Sequence, residues 1–203
     1  MHNELTSILL NNAVDEFAKL PGVGRKTALR LVLHLLKQPV ADVEKFGNAF
    51  IKLKNEIKYC KICNNLSDSD ICEICSNSRR NRSLICVVES IRDVLSIEQT
   101  QQFSGLYHVL GGIISPMNGV APSDLNVDLL VQRIKNENIK EILFALNTTM
   151  EGETTCYYLH KKISMFDVEI TTLARGINFG DELEYTDELT LGKSILNRQP
   201  FIK

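Results

Sequence analysis

The chain has 203 residues, of which 44% are hydrophobic and 24% are charged, and its formal net charge is −2. This composition excludes a fibrous, a collagen-like and a wholly disordered protein, and it allows one large domain or two small ones. The charge is uneven: residues 1–82 hold thirteen Lys and Arg against nine Asp and Glu, whereas residues 83–203 hold ten against sixteen. A basic part of this kind is suited to a polyanion, although uneven charge is also typical of an ordinary solvated surface.

No targeting or membrane segment is predicted. The start of the chain, MHNELTSILL, lacks the basic region and the long apolar region of a signal peptide. The most apolar stretch, residues 29–36, is interrupted by Arg30 and His34. We therefore expect a cytosolic protein without membrane contact. In a reducing compartment six cysteines do not indicate a disulfide framework, so clustered cysteines point to a metal or to redox chemistry.

Residues 1–59 are predicted to be helical, with one sharp interruption at residues 20–24, LPGVG. Residues 27–37 after it have a helical composition. Apolar residues then recur at steps of three and four along a second long helix. These apolar residues are Val43, Phe46, Phe50, Leu53 and Ile57.

The interruption has the chemistry of a phosphate-binding turn. Gly22 and Gly24 allow the backbone to come close to a ligand, because neither residue has a Cβ. A helix that begins directly afterwards points unpaired N–H groups outward, and these groups bind phosphate oxygens. Arg25, Lys26 and Arg30 add positive charge at the same place. The sequence therefore predicts contacts to a phosphate backbone, which read no base sequence.

One side of the helix after the turn is basic. Lys26, Arg30, His34 and Lys37 follow one another at steps of four, four and three residues, so they share what we call the basic face. We predict an apolar face opposite it, formed by Leu29, Val32, Leu33 and Leu36. The alternative interpretation is a Pro-Gly turn between two core helices, with a solvated polar side.

Two CxxC pairs follow in a polar loop. Cys60 and Cys63 form the first pair, and Cys72 and Cys75 form the second pair after eight intervening residues. Two such pairs bring four thiolates around one tetrahedral ion, which predicts one zinc ion per chain. A structural role is favoured, because four cysteines leave no coordination site for water. The alternatives are a redox-active CxxC and four idle thiols.

The pattern changes at residue 84, where short apolar runs begin to alternate with segments of helical length. Such alternation is typical of βαβ units and of a mostly parallel sheet. The remaining cysteines, Cys86 and Cys156, fall in predicted strand or helix and are interpreted as small buried hydrophobic residues. A short helix is predicted near residues 189–196. The four apolar runs lie at residues 84–88, 107–110, 142–146 and 168–174.

Carboxylates follow two of the predicted strands. Glu89 comes directly after the first strand, Asp93 lies on the next helix, and Glu151 and Glu153 follow the strand at 142–146. If these strands are neighbours, Glu89, Glu151 and Glu153 converge at one edge and could hold Mg²⁺. The alternative is an acidic surface or carboxylates that cap helices.

His108 lies beside a Gly-Gly turn, a position that would suit a catalytic base. No Ser or Cys is identifiable as its partner in the sequence. We therefore predict a hydrogen-bonded structural histidine.

Taken in order, these segments resemble the RecR family of bacterial recombination mediators over nearly the whole chain. The first segment is similar to the helix-hairpin-helix motif of DNA repair proteins, and the α/β part resembles a Toprim domain, the module shared with topoisomerases and primases. The sequence departs from the family pattern at residues 147–149, Asn-Thr-Thr in place of Asn-Pro, and at Asn178, where Pro is usual. The matching segments are residues 20–28, the four-cysteine site, VVE at 87–89, GLYHVLGGIISPMNG at 105–119, EGETT at 151–155 and ARGINFGDELEYTDELTL at 174–191.

The resemblance implies an α+β multidomain fold with four parts. The parts are a helical helix-hairpin-helix DNA-binding domain at residues 1–56, a small four-cysteine zinc finger at 57–79, an α/β Toprim domain with a mostly parallel sheet at 80–175, and a C-terminal oligomerisation segment at 176–203.

The resemblance also implies a function without catalysis. Members of the family form ring-shaped homo-oligomers, typically tetramers, whose basic hairpins encircle single- or double-stranded DNA without sequence specificity. They act at the nucleoid with RecO, and in many bacteria with RecF, to load RecA onto single-stranded DNA coated by single-strand binding protein. By this resemblance Arg25, Lys26 and Arg30 contact phosphates, zinc fixes the middle domain, and the acidic Toprim face serves a partner protein.

Two kinds of enzyme are alternatives. A Mg²⁺-dependent Toprim nuclease or topoisomerase-like enzyme would use Glu89, Glu151 and Glu153. Enzymes of that class usually carry a DxD pair, whereas this sequence has ExE, and no domain with a nucleophilic Tyr is evident. A hairpin-type glycosylase would need a catalytic Asp or Lys near the hairpin, and no obvious candidate follows residues 27–37. These absences favour the mediator.

Overall fold

The structure is a computed structural model that describes residues 7–177, 180 and 182–200. Asn178 and several other residues of the predicted C-terminal segment lie outside the described residues. The chain divides between residues 57 and 58 into two compact units. In the part of the chain that is described, no helix is both long enough and apolar enough to span a membrane.

The described part of the first unit contains three helices: α1 (Ile8–Ala18), α2 (Arg25–Leu36) and α3 (Val40–Glu56). The predicted interruption lies between α1 and α2. Packing between these two helices forms a small core around the buried side chains of Val14 and Ala28, with Val32 8% exposed. The helical prediction is confirmed between residues 8 and 56, whereas residues 58–59, which were included in it, form a β-strand because they pair with the cysteine-containing loop.

The apolar face of α2 differs from the prediction, because Leu29 and Leu33 line the same groove as the basic face. Ala28 and Val32, one turn apart, form the buried stripe against α1. Leu33 is 41% exposed and lines the same groove as the basic face, so its assignment to the opposite face is wrong. The physical reason is that one neighbouring helix buries only a narrow stripe, and Leu33 lies about 100° around the helix from Val32.

Helix α3 has no buried residue. Its aromatic side chains Phe46 and Phe50 contact each other edge to face, with ring centroids 5.0 Å apart, and are 42% and 59% exposed. An apolar groove of about 510 Å³ lies among α1, α2 and α3. The predicted helix is therefore present, but of the predicted apolar residues only Val43 and Ile57 are partly buried, whereas Phe46, Phe50 and Leu53 are exposed.

The second unit begins with the cysteine-containing segment. Strands β1 (Lys58–Tyr59) and β2 (Leu66–Ser67) pair antiparallel, and a single helical turn, α4 (Glu73–Ser76), follows them. The four cysteines are buried where these pieces meet. The second unit continues into the sheet described next.

Four parallel strands form the main sheet, in the order β4-β3-β5-β6. This result confirms the predicted parallel arrangement. Three-residue 3-10 helices occur at Pro116–Asn118, Pro122–Asp124 and Leu183–Tyr185. The strands are β3 (Asn81–Val88), β4 (Gly105–Val109), β5 (Glu141–Ala145) and β6 (Glu169–Thr172), and the helices of this part are α5 (Ile91–Gln99), α6 (Val127–Asn136), α7 (Met150–Ile163) and α8 (Glu188–Leu196).

Each face of the sheet has its own apolar core, because alternate residues of a strand point to opposite faces. Ile85 and Val87 of β3 lie in one cluster, together with residues of α6 and α7. Cys86 and Val88 lie in the other cluster, against Val94 of α5. Burial raises the pKa of the Cys86 thiol to about 12, in agreement with its predicted role as a small hydrophobic residue.

The strand order creates a crevice between β3 and β5. The next strand in the chain after β3, which is β4, lies on one side of β3, and the strand after that, β5, lies on its other side. Open parallel sheets bind ligands outside the carboxyl ends of strands at such a reversal. The residues that follow Val88 and Ala145 are therefore placed where ligands bind in this architecture.

Candidate functional site

The turn before α2 has the backbone geometry that the sequence predicts. Gly22 has a φ of +78°, which favours glycine, and the Val23 N–H donates to the Leu20 carbonyl at 3.0 Å. Gly24 is extended and precedes α2 without a side-chain cap on the helix. A Cβ added at Gly24 would meet no atom of the described chain within 4 Å. The N-terminus of α2 is therefore open to an approaching anion.

The basic face borders a groove of about 570 Å³ on α2. The lining contains no acidic residue, and none of the ion pairs among the described residues involves Lys26, Arg30 or Lys37. The ring of His34 lies 3.4 Å from the Gln38 amide nitrogen. The groove is lined by Lys26, Thr27, Leu29, Arg30, Leu33, His34 and Lys37.

Arg25 lies apart from the basic face. Its guanidinium forms an ion pair with Asp15 of α1 and donates to the Asn11 side-chain oxygen at 3.0 Å. The Arg25 and Asp15 side chains are both about half exposed, at 49% and 52%. Arg25 therefore ties the start of α2 to α1.

The four predicted zinc ligands come together in one cage. The sulfurs of Cys60, Cys63, Cys72 and Cys75 all lie within 4.8 Å of one another, and all four residues are at most 4% exposed. The Sγ atoms of Cys63 and Cys72 are 3.5 Å apart. Four sulfurs at about 2.3 Å from a tetrahedral zinc ion would be separated by about 3.8 Å, so the cage fits Zn²⁺.

Hydrogen bonds in the cage favour thiolate ligands. The Cys72 N–H points at the Cys60 sulfur at 3.3 Å, and the Cys75 N–H points at the Cys72 sulfur at 3.5 Å. The Cys63 thiol holds the pKa of Cys72 far below its ordinary value, and the same contact raises the pKa of Cys63. Repulsion between neighbouring thiolates opposes the loss of further protons from the cysteines, and a bound divalent cation offsets that repulsion. Bound zinc would hold the loops together and leave no open coordination position.

The cysteine segment is attached to the edge of the main sheet. The Val109 N–H of β4 donates to the Cys63 carbonyl at 2.8 Å, and the Asn64 side chain donates to the Val109 carbonyl at 3.1 Å. On the other side of the cage, Arg82 donates to the Cys75 carbonyl at 3.0 Å. Both polar groups of the edge residue Val109 are thus satisfied by the metal-binding loop.

The first two predicted carboxylates are held by neighbouring groups. Glu89 follows β3 and accepts a hydrogen bond from the Asn147 amide at 2.9 Å, across the crevice between β3 and β5. Asp93 accepts from both the backbone and the hydroxyl of Ser90, at 2.7 and 3.0 Å. Asp93 therefore forms the capping box of α5, which is the structural alternative given above.

Glu151 and Glu153 lie in the first turn of α7, where carboxylates complement the helix dipole. Thr149, within the segment that departs from the family pattern, caps this helix by accepting from the Gly152 N–H at 3.1 Å. Glu153 forms an ion pair with Arg175. Glu153 and Arg175 thus partly neutralise each other's charge.

The structure does not gather these carboxylates into a metal cage. Strands β3 and β5 are neighbours, as the prediction required. Among the described residues, however, the four cysteines are the one group of three or more His, Cys, Asp or Glu side chains whose ligand atoms lie within 4.8 Å of one another. The carboxylates do not form such a group. A Mg²⁺ site at Glu89, Glu151 and Glu153 stays a prediction.

A further carboxylate on α5, Glu98, has a structural partner that the sequence did not reveal. Arg80 forms a two-pronged ion pair with it, and the Tyr107 hydroxyl donates to it at 2.7 Å. Arg80 holds the pKa of Glu98 below its ordinary value, and burial raises the pKa of Tyr107. Asn147 and Arg175 were likewise not predicted, because their partners are 58 and 22 residues away in the sequence.

His108 is a buried structural residue, as predicted. Its Nε2–H donates to the Asn126 carbonyl at 2.8 Å, and among the described residues its Nδ1 has no partner. Burial, with a smaller contribution from Arg133, lowers the pKa of His108 to about 4. The ring is therefore neutral near pH 7.

Comparison with known sequence families matches four models along this chain. Three carry the family name and describe the RecR helix-hairpin-helix over residues 10–53, the RecR zinc-finger domain with four cysteines over 57–77, and the RecR C-terminal region over 176–199. The fourth describes a Toprim domain and covers residues 83–174. The matches follow the same order as the segments seen in the sequence.

Curated relatives match over the full length of the chain. Recombination protein RecR of Phocaeicola vulgatus is 61% identical over 201 residues, which cover 99% of this chain and 98% of the relative. Recombination protein RecR of Bacteroides thetaiotaomicron is 59% identical with the same coverage. That of Flavobacterium johnsoniae is 54% identical over 200 residues, covering 98% of this chain and 97% of the relative.

Proposed function

The chain belongs to the RecR family, and from this membership we propose that it is a recombination mediator in DNA repair. It binds DNA without reading base sequence. With a RecO partner, and with RecF where that protein takes part, it promotes the loading of RecA onto single-stranded DNA coated by single-strand binding protein. Its place of action is the cytoplasm, at the nucleoid.

The basic face of α2 is the observation that carries this proposal. Lys26, Arg30 and Lys37 project into one groove without an acidic neighbour in its lining, beside a helix N-terminus that is open to an anion. Uncompensated cations attract a polyanion and release its counterions on binding. Since phosphates are the same at every base, binding of this kind is independent of sequence.

Arg25 supports this site indirectly. Because its guanidinium is engaged by Asp15 and Asn11, we propose that it positions the hairpin, while Lys26 and Arg30 contact the phosphates. Gly22 allows the turn that sets the direction of α2. Gly24 leaves the N-terminus of this helix free of side-chain atoms. In this arrangement the glycines contribute backbone N–H groups and the cations contribute charge.

The substitution of Lys26 and Arg30 by Glu tests the proposal. We expect the double variant to bind DNA of any sequence at least tenfold more weakly, with a shallower dependence of affinity on salt, because about two phosphate contacts are lost. Fluorescence anisotropy over a range of salt concentrations measures both effects. Two comparable charge reversals outside the groove and outside α3, Lys135→Glu and Lys161→Glu together, are the control. Equal affinities of the Lys26/Arg30 variant and the unaltered protein would contradict the proposal.

A homo-oligomer is part of the proposal. The exposed aromatic pair of α3 and the apolar groove beside it form a surface of the first unit that water solvates poorly. A second copy of the chain would cover such a surface, and a closed ring of four would place several basic faces around one strand or duplex of DNA.

We propose that the acidic crevice of the Toprim domain binds a partner protein and does not catalyse a reaction. The hydrogen bond of Glu89 to Asn147, the capping role of Asp93 and the ion pair of Glu153 with Arg175 support this proposal, because these three carboxylates already have structural partners. The alternative, a Mg²⁺-dependent nuclease or topoisomerase-like enzyme, requires DNA cleavage that depends on Mg²⁺ and disappears in Glu89→Ala.

A further inference from the structure

Two leucines line the groove of the basic face. Leu29 and Leu33 lie one turn apart on α2, and both line the groove together with its four basic residues. We call this pair the leucine strip. Leu29 is partly buried against the core of the first unit, whereas Leu33 is 41% exposed.

Packing within the first unit explains Leu29 but not Leu33. The core between α1 and α2 is centred on Val14, Ala28 and Val32, and Leu33 is not among the residues that pack against it. Leu33 also does not line the apolar groove shared with α3, which is lined by Leu36. Leu33 therefore adds apolar surface to a groove lined by cations, and such a lining suits a ligand with both charged and apolar surface.

We propose that this groove takes an unpaired DNA strand, with phosphates on the basic residues and base faces against the leucine strip. This inference rests on the proposed function, which requires only that the basic face binds DNA. Leu33 is then a residue that makes the groove selective for single-stranded over duplex DNA.

The chemistry of the two forms of DNA explains this choice. In a duplex the base faces are stacked inside, so a protein surface beside the backbone meets phosphates and sugars. A leucine placed against that backbone would contribute little favourable binding free energy, because it would displace water from charged phosphate groups. An unpaired strand exposes the faces of its bases, and nucleic-acid grooves for single strands combine cations with surfaces that contact those faces. The groove, at about 570 Å³, lies in the range of small-molecule binding pockets and is large enough for a nucleotide unit.

Leu33→Ala tests the inference, with Leu9→Ala as the matched control. Leu9 is a leucine of α1 in the same unit, is 82% exposed, and lines neither this groove nor the apolar groove beside α3. Three labelled probes of equal length are titrated by anisotropy at one salt concentration: an oligodeoxythymidylate, an abasic strand of the same charge, and a duplex. Leu33→Met, which preserves an apolar side chain of similar size, is the rescue variant.

We expect the unaltered protein to bind the oligodeoxythymidylate more tightly than the abasic strand. Leu33→Ala should weaken binding of the oligodeoxythymidylate by roughly fivefold and leave the other two probes unchanged, since the contact with the base is lost. Leu9→Ala and Leu33→Met should bind all three probes like the unaltered protein. Equal affinity of the unaltered protein for the oligodeoxythymidylate and the abasic strand, or an unchanged affinity of Leu33→Ala for the former, would overturn the inference.

The two proposals fail in different ways. If Lys26→Glu with Arg30→Glu abolishes binding of every probe while Leu33→Ala changes none, the basic face binds DNA and only the selectivity for unpaired bases is wrong. If the charge-reversed variant binds every probe as the unaltered protein does, the proposed function of the basic face is wrong as well.

Discussion

At the scale of single residues, Gly152 shows how closely the acidic segment is packed. A Cβ at this position would lie 1.9 Å from the Asn147 carbonyl oxygen, a distance at which backbone must move. The loop after β5 folds back on the first turn of α7, where Thr149 caps the helix. The glycine between Glu151 and Glu153 is therefore required by packing, independently of any ligand.

Gly152→Ala should destabilise the second unit by about 3 kcal/mol, because the new methyl group overlaps backbone atoms. Urea unfolding followed by tyrosine fluorescence measures this effect, since all five tyrosines lie between residues 58 and 203. The control is Gly192→Ala in α8, where an added Cβ meets no described atom within 4 Å. A Gly152→Ala midpoint equal to that of the control would refute the packing argument.

Because His108 is buried, we expect the free energy of unfolding to depend on pH. Its pKa falls from 6.5 to about 4 in the folded protein because the ring is buried. Between these values the unfolded chain binds a proton and the folded chain does not, so the free energy of unfolding falls as the pH is lowered. The loss amounts to roughly 3 kcal/mol between pH 6.5 and pH 4, and no loss from this residue is expected above pH 6.5.

The measurement is urea unfolding at a series of pH values, with His108→Gln for comparison. The Gln amide retains a donor for the Asn126 carbonyl but does not titrate in this range. Both proteins share the carboxylates that titrate at low pH, so the difference between their curves isolates His108. Parallel curves from pH 7 to pH 4 would show that His108 is not the cause.

At the scale of elements, the metal-binding loop protects the edge of the sheet. Strand β4 pairs with β3 on one side only, and on its free side Val109 donates to Cys63 and accepts from Asn64. An uncovered strand edge is a site for pairing with other chains. The zinc cage therefore has a structural role that extends beyond its own loops.

Replacement of Cys60 and Cys63 by Ser should release zinc and destabilise the loop, because metal binding and folding are coupled. We also expect faster hydrogen exchange at the Val109 amide, since its acceptor is the Cys63 carbonyl. Metal analysis and exchange measured by NMR or mass spectrometry report these effects. Cys156→Ser, a change at a cysteine outside the cage, should retain zinc. Stoichiometric zinc in the Cys60/Cys63 variant would contradict the assignment of the ligands.

At the scale of the whole molecule, charge and apolar surface are distributed unequally. The basic face lies in the first unit, and the carboxylates that follow β3 and β5 lie in the second unit. A net charge of −2 therefore says little about DNA binding, because the field at the groove comes from local cations. The exposed apolar side chains of α3 belong to the same unit as the basic face.

Oligomerisation is expected to depend on the apolar side chains of α3. In solution the chain should have a mass several times that of one protomer, and four protomers would match the proposed ring. Phe46→Ser with Phe50→Ser should reduce this mass, because the two rings are exposed in the isolated unit and are expected to be buried between copies. Light scattering with and without DNA gives the masses. A protein that is monomeric under both conditions would exclude a ring.

Much of this protein could be predicted because its signals are local in the sequence. The spacing of Cys60, Cys63, Cys72 and Cys75, the glycine turn before α2, and the alternation of apolar runs each depend on residues close to one another in the chain. Steric and hydrogen-bonding rules act on such neighbours directly, so the zinc cage, the hairpin and the parallel sheet followed from the sequence. The family resemblance rested on the same local segments.

The tertiary structure alone decided which partners distant residues have. It tied Arg25 to α1, left Leu33 outside the core between α1 and α2, and engaged the carboxylates of Glu89 and Glu153 with Asn147 and Arg175. Helical periodicity shows which residues share a face, but not how wide a stripe the neighbouring element covers. Partner choice depends on packing between segments far apart in the chain, and for that reason it could not be derived from the sequence pattern.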